Sequence, residues 1–261
     1  MSLVDINPLY SAAGLAVGIL VGLTGVGGGS LMTPLLVLAF GFHPVTAVGT
    51  DLLYASATKT VGTAVHGVSG TVDWKVVRRL AMGSVPATAL TLLLLAYAGQ
   101  KFEGTEHVIT VMLGVALIAT AIAMLFRTRI VAHFSNDFCE MAPRRVARLT
   151  TILGAILGVL VSLSSVGAGA IGMTALLVLY PKLPTNRLVG SDIAHAVPLT
   201  LIAGTGHWMM GSVDFSLLAS LLVGSVPGII VGSLISTRVS DRVLRPILAG
   251  TLAIVGSKLI F

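Results

Sequence analysis

Charge is what this sequence has least of. Only 10% of its 261 residues are Asp, Glu, Lys or Arg, against 55% that are hydrophobic, and the mean hydropathy is +1.00. Soluble domains carry about 25% charged residues, so a soluble globular protein is excluded. Cysteine is almost absent: Cys139 stands alone, which rules out an intramolecular disulfide framework. No positive region precedes the first apolar run, so that run is not read as a cleaved signal peptide. Enzyme signatures are missing too. There is no Gly-Lys-[Ser/Thr] phosphate loop, no His-Glu-x-x-His and no Gly-x-Ser-x-Gly, which argues against ATP hydrolysis and intramembrane proteolysis. His43, His107, His133 and His195 show no metal-ligand spacing, and no metal or cofactor is expected.

What is present is apolar length. Several runs of about 18 or more mostly apolar residues mark helices that cross a bilayer. Alternating ten-residue segments, the mark of an outer-membrane barrel, are absent. The net charge of +6 sits in loops, where it marks the cytoplasmic side of a membrane protein, and no nucleic-acid partner is expected.

Two glycine-rich breaks organise the chain. Thr24-Gly25-Val26-Gly27-Gly28-Gly29-Ser30 interrupts an apolar run, and Ser164-Ser165-Val166-Gly167-Ala168-Gly169-Ala170 interrupts another. Each glycine costs a helix about 1 kcal/mol relative to alanine. It also allows sharp turns and bare peptide N–H groups, which form anion-binding concavities at helix starts.

The breaks belong to an internal repeat. Val26, Gly27 and Gly29 match Val166, Gly167 and Gly169 at a spacing of 140. At a spacing of 141, Gly49 and Asp51 match Gly190 and Asp192, His66 matches His207, and Gly83–Pro86 matches Gly224–Pro227. The expected organisation is therefore all-α: a first membrane repeat over residues 1–126, a basic linker over 127–148, and a second repeat over 149–261. The pieces are Leu9–Phe40, Pro44–His66, Val76–Ala98 and His107–Phe126, then Leu149–Tyr180, Leu188–Met209, Phe215–Ser236 and Val243–Ile260.

Each broken segment has arms of about 15 and 10 residues, short of the roughly 20 that span a bilayer. If both return as re-entrant hairpins, thirteen of the sixteen lysines and arginines lie on one side and two on the other, with Lys59 inside the membrane. If both cross, the split is nine against six. Positive-inside counting favours hairpins. A hairpin plus three crossings per half inverts the second repeat, puts both termini outside and leaves the 127–148 linker in the cytoplasm. Inverted repeats around broken helices describe a secondary transporter with a site near the midplane.

The candidate anion-binding groups are Thr24, Gly25, Gly27, Gly28, Gly29 and Ser30 in the first break, and Ser164, Ser165, Gly167 and Gly169 in the second. Thr50 and Ser191, beside buried carboxylates, join them. Arg187 offers a fork suited to oxyanions, or a positive-inside anchor. Asp51, Asp192 and Lys59 are charges inside membrane helices, which are expensive and mark function or a fixed structural bond. The aspartates either take up coupling protons or accept hydrogen bonds from the backbone amides of their own hairpins, and Lys59 pairs with Asp51 or offers its charge to substrate.

Gly25-Val26-Gly27-Gly28-Gly29 with Pro34, Ala47-Val48-Gly49-Thr50-Asp51, His66 and Gly70-Thr71-Val72-Asp73 resemble the TauE/SafE family of sulfite exporters over nearly the whole chain. The resemblance implies a permease of a prokaryotic inner membrane that moves small sulfur oxyanions such as sulfite, sulfoacetate or other organosulfonates, usually outward. The second half departs from the pattern at Arg187-Leu188-Val189-Gly190-Ser191, and Ser165 and Ala168 replace glycines. The expected partners are that anion and the lipid bilayer, with a homodimer left open. The rival expectations are a proton- or cation-coupled carrier centred on Asp51 and Asp192, or a scaffold whose glycines only pack helices.

Overall fold

The computed structural model describes residues 6–24, 29–68, 70–101, 105–167, 169–235 and 241–260. Among them there are ten helices and no strand: α1 (Pro8–Thr24), α2 (Gly29–Leu38), α3 (Pro44–Val68), α4 (Trp74–Lys101), α5 (Thr105–Cys139), α6 (Pro143–Ser164), α7 (Ala170–Leu179), α8 (Thr185–Met209), α9 (Phe215–Ile235) and α10 (Asp241–Ile260). The all-helical expectation holds, and most boundaries agree within a few residues.

Helix α5 is longer than expected, while α6 opens where the Ala142-Pro143-Arg144-Arg145 run indicates. Helix α5 runs 35 residues, thirteen past Phe126, because Arg127–Cys139 loses hydrophobicity without any glycine or proline to break it. Helix α6 runs 22 residues, because Pro143 opens it upstream of the apolar stretch. Proline suits a first turn, where its missing N–H has no helical partner anyway. The segment expected as a linker is thus helical at both ends.

Both broken segments fold back on themselves. Helix α6 ends where Ser165 takes the left-handed conformation (φ 57°) and donates its N–H to Val161 O. Gly167 follows at φ 113°, a conformation that strains any side-chain-bearing residue. Helix α7 then returns, so that Tyr180 at its end lies 2.7 Å from Thr150 near the start of α6. At the mouth of the first hairpin, the Tyr10 ring meets Phe40 and Phe42 edge-on at 5.1 and 5.7 Å.

Backbone contact at small residues holds the long helices together. A Cβ on Gly14 or Gly18 of α1 would lie 2.2 Å from Leu221 O or 2.6 Å from Ser225 O of α9. A Cβ on Gly154 or Gly158 of α6 would lie 2.1 Å from Leu80 O or 2.7 Å from Ser84 O of α4. Residue numbers rise together in both pairs, so α1 runs parallel to α9 and α6 parallel to α4. Helix α3 meets α8 with numbers running oppositely: Gly49 at Ser212 and His207, Gly62 at Ile193, and Gly204 at Leu53. Helices α5 and α10 also run antiparallel, Gly114 meeting Ile260 and Gly256 meeting Ile118. The α1–α9 contacts turn into the α6–α4 contacts when one half of the chain is exchanged for the other, Gly14 and Gly18 becoming Gly154 and Gly158 at a spacing of 140 and Leu221 and Ser225 becoming Leu80 and Ser84 at 141.

Helices α4, α5, α6, α8 and α9 are long and apolar enough to cross a membrane. Helix α3 is as long as α8, but it carries Asp51, Lys59 and five threonines. The outer surface is apolar: Leu93 is 70% exposed, and Leu90, Leu94 and Ile254 are also exposed. Leu80, Leu113, Leu157, Leu176, Leu188 and Leu199 fill a shared core linking both halves.

Candidate functional site

The antiparallel crossing of α3 and α8 brings the buried charges together. Asp51 and Lys59 sit two turns apart on α3, while Asp192 and His195 lie one turn apart on α8. All four are buried; Lys59, at 6%, is the most exposed of them. Lys59 is within electrostatic reach of Asp192 first and of Asp51 second, and it also acts on His195. Among the described residues no carboxylate comes within ion-pair distance of its ammonium, so its charge is held by position and not by a closed salt bridge.

Each carboxylate rests against the returning arm of its own hairpin. The Thr33 hydroxyl of α2 donates to Asp51 Oδ2. Asp192 lies against α7, where a Cβ on Gly172 would come 2.9 Å from its Oδ1. The α6–α7 break then reaches across to the other half: Ser165 lies beside the Asp51 carboxyl. Several polar atoms here find no hydrogen-bond partner in the protein: Asp51 Oδ1, Asp192 Oδ1, Ser165 Oγ and His195 Nδ1. Buried polar groups are paired in the great majority of cases, so these incompletely bonded atoms set this cluster apart from the rest of the core.

The other sequence candidates lie as follows. Gly25, Gly27 and Gly28 are outside the described residues; Thr24 ends α1, while Gly29 and Ser30 open α2. Ser164 is engaged locally, donating to Leu160 O at 2.7 Å and accepting from Val166 N–H at 3.2 Å. Gly167 O accepts from Gly172 N–H at 3.1 Å, and Gly169 is buried just before α7. Gly167, Gly169 and Gly172 do have Gly-x-Gly-x-x-Gly spacing, but they follow a helix, and the strand that gives this motif its meaning is missing.

Thr50 and Ser191 brace one half against the other. Thr50 Oγ1 accepts the Asp214 N–H at 3.1 Å, and Ser191 Oγ accepts the Asp73 N–H at 2.8 Å while donating to Arg187 O at 2.7 Å. Asp73 and Asp214 in turn cap α4 and α9, accepting from Lys75 N–H and Leu217 N–H at 3.0 and 2.9 Å. Arg187 is exposed in the first turn of α8, apart from the buried cluster.

Two members of the chamber escape sequence analysis. His195 carries no ligand spacing, yet it is fully buried with Nε2 2.8 Å from Ser84 Oγ. Its position equals Tyr54 at the repeat spacing of 141, and Tyr54 lies beside Ser225, the equivalent of Ser84. The sequence carries no signal of the bond between His195 and Ser84, because the equivalent positions hold different residues, His195 and Tyr54. Thr33 follows the first break by only a few residues and had none. His207, at the far end of α8, bonds Ser162 O at 2.8 Å. Among the described residues no three potential ligands gather to hold a metal ion.

An apolar-surfaced helical bundle with broken helices and buried, incompletely bonded charges at its centre has the build of a membrane transporter. The comparisons specify the kind. Residues 10–259 match the family described as Sulfite exporter TauE/SafE, and the chain belongs to that family of membrane transporters. It is 40% identical over 248 residues to the probable membrane transporter protein YjnA of Bacillus subtilis, covering 95% of this chain and 97% of the relative. A probable membrane transporter protein of Methanocaldococcus jannaschii is 25% identical over 214 residues, covering 79% of this chain and 74% of its own. No solved structure is significantly similar.

Proposed function

We propose that the protein is a secondary transporter of small sulfur oxyanions such as sulfite, sulfoacetate or related organosulfonates, binding them in the chamber between α3, α8 and the two breaks. The observation that carries the proposal is Lys59, buried without a closed ion pair among the described residues and within electrostatic reach of Asp51, Asp192 and His195. The anion's oxygens meet the Lys59 ammonium, the Ser165 hydroxyl and the peptide N–H groups of the breaks. Thr50, Ser191 and Ser164 hold the frame around this chamber, and Arg187 anchors the linker side of the membrane.

The two halves act as inverted repeats that rock to alternate access. Direction supports this. Helices α3 and α8 are repeat equivalents and run antiparallel, as do α5 and α10. Because α6 runs parallel to α4, and α8 antiparallel to α3, the α6–α7 hairpin starts and ends on the linker side. The first hairpin does the same on the opposite side. Thirteen of the sixteen lysines and arginines then fall with the linker in the cytoplasm of a prokaryotic inner membrane, and the chain ends fall outside.

A second reading is favoured by Asp51 Oδ1 and Asp192 Oδ1, both without partners. An anion entering a chamber that already holds two carboxylates raises its negative charge in a medium of low dielectric, and a proton taken up by either aspartate offsets it. Anion and proton then move together.

Purified protein in liposomes tests both. Saturable, voltage- or pH-driven sulfite or sulfoacetate flux that Gly28→Leu abolishes supports the transporter. Flux retained at unchanged affinity in that variant counts against the anion site. Cation-dependent flux without anion binding leaves the carrier centred on the aspartates, and no flux or binding at all leaves the scaffold.

A further inference from the structure

The two hairpin mouths are built alike in backbone and unlike in chemistry. Around the first, the equivalent positions are neutral: the Tyr10, Phe40 and Phe42 rings stack edge-on, and Ser220 Oγ accepts the Asn7 N–H at 3.0 Å. Around the second, the same spacing puts Thr150, Tyr180, Lys182 and Arg79 in place of Tyr10, Phe40, Phe42 and Ser220. A scaffold that needed only to close its hairpins would keep the aromatic plug at both ends. This end has a cavity of about 250 Å³, lined by Arg79, Lys182 and Tyr180 together with Phe138, Met141, Leu183 and other apolar residues.

The polar part of the lining is oriented by a chain of hydrogen bonds. Thr150 donates its hydroxyl proton to Val146 O at 2.7 Å, so Tyr180 must donate to Thr150 and keep its lone pairs for Arg79, whose Nη1 lies 3.2 Å away. That bond to a neutral phenol occupies one of five guanidinium N–H donors. Among the described residues no carboxylate pairs with Arg79, although it is half-buried. The cationic residues therefore have capacity for an anion, while the apolar part of the lining suits hydrocarbon. A free, fully hydrated oxyanion would have no use for that apolar part.

The level in the membrane agrees. Trp74, 63% exposed, starts α4 at this end, and Phe134 is exposed near the end of α5. Exposed aromatics of this kind mark the headgroup zone. The exposed Lys75, Arg78, Arg144 and Arg145 lie at the same end, with the exposed Glu140 beside Met141. Basic pockets between helices at such a boundary suit lipid phosphates.

We propose that this cavity binds the headgroup of an anionic phospholipid, its phosphate on Arg79 and Lys182 and the start of its acyl chains along Phe138, Met141 and Leu183. The lipid fastens the starts of α4 and α6 to the end of α7, and so holds the mouth of the second hairpin. The proposal depends on the membrane setting but not on which solute is carried.

The full-length protein in detergent is titrated with phosphatidylglycerol, with phosphatidylcholine and with inorganic phosphate, and read by native mass spectrometry and thermal melting. Retention of phosphatidylglycerol over phosphatidylcholine, with a rise in Tm, is expected. Lys182→Gln, at an exposed position, weakens that retention about fivefold and leaves the lipid-free Tm unchanged; Arg79→Gln weakens it further. Equal retention of both lipids, or an unchanged preference in Lys182→Gln, overturns the proposal. So does inorganic phosphate giving the same Tm rise, since the site then belongs to a free oxyanion.

Discussion

Gly224→Ala tests whether the long helices are held by backbone contact. In an isolated helix this change is favourable by about 1 kcal/mol. Here the added Cβ would lie 1.8 Å from Ser11 O and 2.8 Å from Leu15 N of α1. Real Cβ atoms keep about 3.0 Å from such neighbours, so α1 and α9 must separate by roughly 1.2 Å at that point. Both obstructing atoms belong to backbone and cannot rotate aside. Separation also loosens the contacts that Gly14, Gly18, Gly228 and Gly232 make along the same seam. Overpacking of a tight interior costs about 1–3 kcal/mol, so the expected net effect is destabilising by up to about 2 kcal/mol. At about 2–4 °C per kcal/mol for a chain of this size, Tm falls by several degrees in detergent. Gly83→Ala, the equivalent change facing Thr151 O at 1.8 Å, behaves the same way. Gly250→Ala in α10, where nothing lies within 4 Å of the new Cβ, is the control and raises Tm slightly. If Gly224→Ala and Gly83→Ala also raise Tm, the seams do not carry the fold.

Three further outcomes follow from the chamber and its frame. Gly172→Ala pushes a methyl group to 2.9 Å from Asp192 Oδ1 and 3.1 Å from Leu157 Cδ1, so transport falls several-fold more than a modest loss in Tm explains; proteoliposome flux and melting on one preparation check it. Ser191→Ala orphans the Asp73 N–H and costs about 1 kcal/mol, seen as a Tm drop with substrate affinity unchanged; a selective loss of affinity would place Ser191 on the substrate. Thr33→Val removes the donor to Asp51 and leaves a buried acceptor unsatisfied at about 1–3 kcal/mol, which a denaturation series should reveal.

How much of this was legible in the sequence depends on the kind of signal. Hydropathy marked the apolar helices, and the 140–141 spacing paired residues that turn out to make equivalent contacts. Thr50 and Ser191 were noticed for standing next to aspartates, but their actual partners, Asp214 and Asp73, lie 164 and 118 residues away. No local pattern shows such a bond. The end of α5 is not legible in the sequence, because falling hydropathy resembles the end of a helix whereas only a breaker or a cap ends one. The packing glycines were readable: Gly14 with Gly18, Gly154 with Gly158, and Gly224 with Gly228 stand four apart, as small residues at close membrane-helix crossings do. His195 escaped because a lone histidine in an apolar helix says nothing about the serine across the bundle that orients it.

The account depends most on Lys59 as the fixed positive charge of an anion chamber. Equilibrium binding of radiolabelled sulfite to the purified protein, compared with Lys59→Met, tests that directly. The prediction is saturable binding in the parent and at least a tenfold loss, about 1.4 kcal/mol, in the variant, with both melting as folded proteins. Equal affinity in the two would contradict it.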